Sequence, residues 1–201
     1  MRGYVKICGL TSADMVLAAI EGGANAIGFV FADSPRNVGI EQAVLLAGLA
    51  RGHAHIIAVM QHPTVAQAHE IQARVQPDYL QTDAEDFAQL TLLSGITALP
   101  VFRDVVPVTA EAWSRILFEG AVSGAGSQAD WQVAAQAAQR HQLLLAGGLN
   151  VANVGDAIRA VRPFGVDVSS GVESSRGTKD AAMITTFIQN ARAAFNEEPQ
   201  T

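Results

Sequence analysis

Short runs rich in Val, Ile, Leu and Phe alternate with longer Ala-rich stretches of helical period, from one end of the chain to the other. No other feature constrains the fold as strongly, because repeated strand and helix units are the pattern of a parallel sheet. The spacing predicts strands near Tyr4–Cys8, Ala26–Val30, Ile56–Met60, Tyr79–Gln81, Thr97–Phe102, Ile116–Phe118, Leu143–Ala146 and Gly165–Val168. Eight strands fit a closed barrel. The helices are clearest at Ser12–Glu21, Thr64–Val75, Asp130–Arg140, Val151–Val161 and Asp180–Phe195. Several open on Ser, Thr, Asp or Asn, which can cap a first turn. Only about a dozen residues, Arg103–Arg115 with Pro107 among them, separate the fifth and sixth strands. The reading is therefore a single (β/α)8 TIM barrel, class α/β, with a truncated or missing fifth helix. Residues 1–201 are expected to form one domain, since no linker, low-complexity segment or charge block interrupts them. The tail Asn196–Thr201 lacks an apolar anchor and is expected to fray.

Composition narrows the function. A chain of 201 residues that is 49% hydrophobic can bury a substantial core. A formal charge of −6 with 13 Lys and Arg argues against a nucleic-acid surface, whose usual footprint is a basic stripe. Any anionic ligand must then be held by a few local groups. No stretch approaches the roughly 18 apolar residues of a membrane span. Thr11, Ser12 and Asp14 follow Arg2 and Lys6 too soon for a signal peptide. The one cysteine cannot form an internal disulfide. A soluble, cytoplasmic protein is expected, monomer or weak homodimer, with a small molecule as its partner.

Lys6-Ile7-Cys8-Gly9 places that cysteine at the carboxyl end of the first strand, the end where barrel enzymes build their active sites. Cys8 is read as an acid/base or nucleophilic group, against the alternative of a small buried hydrophobe. Side chains two apart share a face of a strand, so an inward Cys8 puts Lys6 inside the barrel below it. In a closed barrel the eighth strand lies beside the first, and Asp167 stands there between Val166 and Val168. Neither charge can be buried cheaply alone, so the two are expected to pair; the alternative is a Lys6 that snorkels outward. Gly147 and Gly148 after the seventh strand, and Ser169, Ser170 and Gly171 after the eighth, allow backbone N–H groups to approach a ligand closely. Barrels commonly bind phosphate there. The five histidines show no spacing that suggests a metal site and are expected to be solvated.

Six segments carry a family likeness: KICGLT at Lys6–Thr11, GFVF to SPR at Gly28–Arg36, DW at Asp130–Trp131, LAGGLN to NV at Leu145–Val154, DVSSGVE at Asp167–Glu173, and Gly177–Asp180. In these, over nearly its whole length, the chain resembles the phosphoribosylanthranilate isomerases of tryptophan biosynthesis. The resemblance implies an intramolecular aldose-ketose isomerase that converts N-(5-phosphoribosyl)anthranilate to the 1-deoxyribulose phosphate by an Amadori rearrangement, with no metal or organic cofactor. It implies Cys8 as general base. The family's acid, an Asp ending the sixth strand, is matched here by Glu119. Arg36 matches an arginine suited to the anthranilate carboxylate, the alternative being a surface arginine pairing with Asp33 or Glu41. Asp167 is suited to the anthranilate amine, and Lys6 and the bound substrate's iminium centre to lowering the thiol's proton affinity.

The chain also departs from the family. Glu119 carries one methylene more than Asp, about 1.5 Å, and misplacement of about 1 Å can cost on the order of a hundredfold in rate. Partial burial is expected to keep it protonated; Asp130, whose position suits an N-cap, is the alternative acid. Where the family reads Q-L-H-G, this chain reads Gln81-Thr82-Asp83-Ala84, so the histidine's role is absent or replaced. Arg176 and Lys179 either add positive potential for the phosphate or form a solvated pair. Two other functions stay open: the related histidine-pathway isomerase, which needs a second phosphate loop and typically an aspartate at Cys8, and a barrel that binds a phosphorylated ligand without turning it over.

Overall fold

The computed structural model describes residues 3–107, 110, 112–120 and 129–197. Eight parallel strands close into a barrel in the order β1 to β8. They are β1 Tyr4–Cys8, β2 Ala26–Val30, β3 His55–Val59, β4 Tyr79–Asp83, β5 Thr97–Arg103, β6 Arg115–Glu119, β7 Gln142–Leu145 and β8 Gly165–Val168. The helices are α1 Ala13–Glu21, α2 Ile40–Ala50, α3 Val65–Val75, α4 Trp131–Ala138, α5 Val154–Val161 and α6 Ala181–Glu197. A small antiparallel pair, β9 Glu173–Ser175 and β10 Thr178–Lys179, follows β8.

Capping chemistry sets several of these boundaries. Thr64 accepts a hydrogen bond from Gln67 N–H while the Gln67 side chain accepts one from Thr64 N–H, a full capping box at the start of α3. Asp130 accepts from Gln132 and Val133 N–H at the start of α4, which ties this carboxylate to a structural task. Helix α2 is invisible to the same signal because its N-cap is Gly39, which has no side chain to cap with.

The fifth connection has no α-helix among its described residues, as the sequence leads one to expect. The fourth is abbreviated too, since Ala84–Ala88 forms only a 3-10 turn. Of the tail, Asn196 and Glu197 complete α6 instead of fraying, and residues 198–201 lie outside the described residues.

Alternation along the strands divides the core into two layers. Val5, Ile7, Ile27, Phe29, Leu80, Phe118 and Val166 pack outward against the helices. Tyr4, Ala26, Ile57, Leu99, Val101, Leu117, Leu144 and Ala146 pack together inside the barrel. Arg115 at the amino end of β6 lies over the rings of Phe164, Tyr4 and Tyr79, at 4.6, 5.2 and 5.4 Å from their centroids. It donates to Tyr79 Oη at 2.7 Å and to Gln142 Oε1. This aromatic plug closes the amino end. The carboxyl end stays open.

Candidate active site

A cavity of about 340 Å³ opens at the carboxyl ends of the strands. Cys8, Gln81, Asp83, Arg103, Glu119, Asp167 and Ser169 line it from five different strands or their immediate ends, and Arg36 and Arg176 reach it from loops. A larger hollow of about 520 Å³ at the amino end includes Arg51 and Asp78. There Asp78 accepts from Ile56 N–H, and Arg51 donates to the carbonyls of Val75 and Gln76. Those groups hold backbone in place, whereas the carboxyl-end cavity gathers side chains of both charges around open space.

Cys8 forms part of its floor, and pairing in register sets what lies beneath. Lys6 stands opposite Asp167 on β8 and Ala26 on β2. Its ammonium is wholly buried and donates to Asp167 Oδ1 at 2.8 Å, so Lys6 points inward and does not snorkel. Burial alone would favour the neutral amine; Asp167, by its charge and its hydrogen bond, leads the opposing effects that hold the ammonium above its ordinary range. Room for this stack comes from Gly28. A Cβ there would sit 3.0 Å from Cys8 Sγ and 3.3 Å from Lys6 Cε, so any larger residue on β2 would press on both.

Sequence reasoning expected positive charge to tune Cys8 toward neutrality. Burial instead pushes the thiol up, and although Lys6 and Lys179 act in the opposite direction they do not overcome it. Full desolvation of a thiolate outweighs two cations when both are already committed, Lys6 to Asp167 and Lys179 to Glu173.

Arg36 is neither a surface residue nor a partner of Asp33 or Glu41. It is buried, and donates through Nε and Nη2 to the two carboxylate oxygens of Glu173 at 2.6 and 3.0 Å. Glu173 also accepts from Lys179 Nζ at 2.7 Å and from Gly177 N–H at 3.0 Å. Burial would raise the proton affinity of Glu173, but these donors hold its pKa down at about 2. Lys179 donates onward to the carbonyl and hydroxyl of Ser169. It is therefore a buried brace and not half of a solvated pair. The sequence assigned Glu173 no role; its signal was present in the DVSSGVE segment, but its partner lies 137 positions away.

Of the five residues expected to bind phosphate, Ser169 lines the cavity, while Gly147, Gly148, Ser170 and Gly171 sit in the two loops beside it. Those loops touch. A Cβ on Gly171 would lie 1.9 Å from the Leu149 carbonyl oxygen, so only glycine permits the approach. Asn153 fixes the first loop by donating to Gly148 O and accepting from Asn150 N–H. The amide N–H groups of Gly147, Gly148 and Ser170 act as donors in none of the loop and turn hydrogen bonds among the described residues.

On the opposite wall, Arg103 Nη2 lies 2.8 Å from Glu119 Oε1 and Nη1 lies 2.5 Å from Asp83 Oδ1. Glu119 thus faces the cavity, as expected, but the burial expected to keep it protonated is opposed by a guanidinium, which favours the carboxylate. Arg103 was missed because the sequence reading ends the fifth strand at Phe102 and leaves Arg103 in the connection that follows. Alternation offered the only hint, since Leu99, Val101 and Arg103 share a face. Beside it, Gln81 Oε1 is buried without a hydrogen-bond partner, a polar atom available to a ligand.

Residues 5–190 match the family described as N-(5'phosphoribosyl)anthranilate (PRA) isomerase. The chain belongs to this family. It is 38% identical to the N-(5'-phosphoribosyl)anthranilate isomerase of Bradyrhizobium sp. (strain BTAi1 / ATCC BAA-1182), over 96% of this chain and 97% of that one. To the isomerase of Roseiflexus castenholzii it is 37% identical, over 94% and 98%. Among solved structures, a phosphoribosyl anthranilate isomerase in complex with reduced 1-(o-carboxyphenylamino)-1-deoxyribulose 5-phosphate superposes with a TM-score of 0.80 at 30% identity, covering 96% of this chain and 100% of that one. The isomerase from Thermotoga maritima gives 0.79 at 30% identity with the same coverage.

Against the isomerase pattern quoted from the sequence, the two departures at Asp83 and Glu119 prove to be neighbours, joined through Arg103. Asp130, the alternative acid, caps α4 and is not among the residues lining the cavity. His141, expected to be solvated, is buried with Nδ1 2.9 Å from the Trp113 carbonyl.

Proposed function

We propose that this chain is a phosphoribosylanthranilate isomerase that converts N-(5'-phosphoribosyl)anthranilate to 1-(2-carboxyphenylamino)-1-deoxyribulose 5-phosphate, with Glu119 as general acid and Cys8 as general base. The observation that carries this reading is the joint presence of Cys8, Arg36, Glu119, Asp167 and Ser169 around one cavity in a chain of this family.

The acid delivers a proton to the furanose ring oxygen as the C1'–O bond breaks, and the anilino nitrogen supplies the electron pair that makes the iminium. The base then removes the C2' proton, and those electrons form the enolamine, which tautomerises to the aminoketose. A thiol held neutral in the free site suits this order. The iminium adds a positive charge next to Cys8, which favours the thiolate at the step that needs it. Asp167 orients the anilino nitrogen and Lys6 balances the charge beneath. Arg36 offers the anthranilate carboxylate the guanidinium N–H groups that Glu173 leaves free. Gly147, Gly148, Ser169, Ser170 and Gly171 take the phosphate through backbone N–H groups. The chemistry calls for no metal or organic cofactor. A cytoplasmic enzyme, one domain over residues 1–201 and monomer or weak homodimer, fits this reading.

The test is turnover of both aminoaldoses by the purified protein. Conversion of the anthranilate substrate is expected. Conversion of the histidine-pathway substrate alone, or tight binding of product without turnover of either, overturns the proposal.

A further inference from the structure

Asp83, Arg103 and Glu119 come from three consecutive strands, β4, β5 and β6, with Arg103 and Glu119 in register. One guanidinium serves two carboxylates, at 2.5 and 2.8 Å, and all three side chains are largely shielded from water. Around them, His62 lies 3.5 Å from Asp83 and 3.1 Å from Asp86 and is solvent-exposed. The other charged or titratable groups on the cavity wall are Cys8, Asp33, Arg36, Asp167 and Arg176. Of these, Arg36 and Asp167 are committed to Glu173 and Lys6. Asp86, by hydrogen bond and charge, raises the proton affinity of His62, which faces Asp83 from the solvent side; Asp83, Arg103 and Glu119 by themselves sum to −1 when both carboxylates are ionised, and to zero with one proton bound.

A carboxylate alone with a guanidinium is held ionised and is a poor proton donor. A second carboxylate on the same guanidinium changes this in two ways: it draws the cation toward itself, and its own negative field favours a proton on its neighbour. We infer that Arg103 and Asp83 are positioning residues for the acid, Arg103 aiming the Glu119 carboxyl into the cavity and Asp83 competing for the guanidinium so that Glu119 can carry a proton. The inference rests on the role proposed for Glu119. It gives the two departures at Asp83 and Glu119 a joint purpose, since a longer acid needs a second anchor for its direction and a competitor for its cation.

The test is the pH profile of kcat in wild type and in Asp83→Asn, Arg103→Met and Glu119→Gln. A general acid acts while protonated, so its contribution is lost as pH rises and appears as the basic limb. In Asp83→Asn the guanidinium turns wholly to Glu119, and the basic limb is expected about one pH unit lower, with kcat on that limb down about tenfold and KM little changed. In Arg103→Met the limb is expected to move up, at a lower plateau because the carboxyl is no longer aimed. Asp83→Glu restores the wild-type limb. A basic limb that stays fixed in Asp83→Asn, or in Arg103→Met should the first variant not fold, overturns the inference. A Glu119→Gln enzyme of wild-type rate removes the acid assignment itself, and with it this inference; an inactive Glu119→Gln with an unmoved Asp83→Asn limb removes only the coupling.

Discussion

Arg115 and Arg103 lie on neighbouring strands at opposite ends of the barrel, and they meet opposite kinds of partner. Arg115 is surrounded by ring faces, a tyrosine hydroxyl and a glutamine oxygen. Arg103 is held between two carboxylates. Spreading a cation over ring faces and neutral oxygens makes a plug in which Arg115 has no carboxylate partner. Setting a cation between two anions leaves an excess of negative charge, so a proton has a place to reside. The difference assigns stability to the amino end and proton transfer to the carboxyl end, the division that a barrel's strand direction allows. Between the two ends lies the Lys6–Asp167 pair, buried like the plug and charged like the mouth.

The separation of ends is open to attack. At the mouth, Cys8→Ser is expected to fold normally and lose turnover on the order of a hundredfold to ten-thousandfold in kcat, because a serine hydroxyl does not supply a base near pH 7. The wild-type thiol should alkylate slowly at neutral pH and faster as pH rises beyond the ordinary thiol range, since burial pushes it up. Near-normal turnover in Cys8→Ser, or fast alkylation at pH 7 in the free enzyme, would break this side of the comparison.

In the middle, Lys6→Met leaves the Asp167 carboxylate buried without its cation. About 3–5 kcal/mol of unfolding free energy should be lost in a denaturant titration, and a double variant with Asp167→Leu should regain much of it, because apolar groups tolerate the site that a lone charge does not. A Lys6→Met protein as stable as wild type would mean that the pair is not buried in solution.

The smallest effect is expected at the plug. Arg115→Leu should cost about 1–2 kcal/mol of stability, seen as a lower Tm, while kcat stays within about twofold of wild type. Loss of turnover with an unchanged Tm would erase the division between the ends.

Some of this arrangement was legible beforehand and some was not, for reasons that individual residues make plain. Lys6, Cys8 and Asp167 could be placed because a strand alternates strictly and a closed barrel makes its first and last strands neighbours. Helix α2 escaped notice because Gly39 gives no capping signal and its apolar residues do not keep to one face: Leu45 is 74% exposed on a helix whose Ala43, Leu46, Ala47 and Ala50 are buried. Arg36 was placed near the site, but its partner was misjudged, since candidates close in sequence were weighed and Glu173 is not close.

The sequence by itself determined the alternating architecture, the inward column of Lys6 and Cys8, the loops that carry small residues, and the family. These follow from local periodicity and short contiguous motifs, whose physics needs no distant partner. Only the tertiary structure decided the burial that pushes the Cys8 thiol up, the bracing of Arg36 by Glu173 and Lys179, and the sharing of Arg103 between Asp83 and Glu119. Each of those depends on how much water closure of the barrel excludes and on ångström-scale distances between strand ends far apart in the chain, and Coulomb energies in a desolvated mouth change steeply with both.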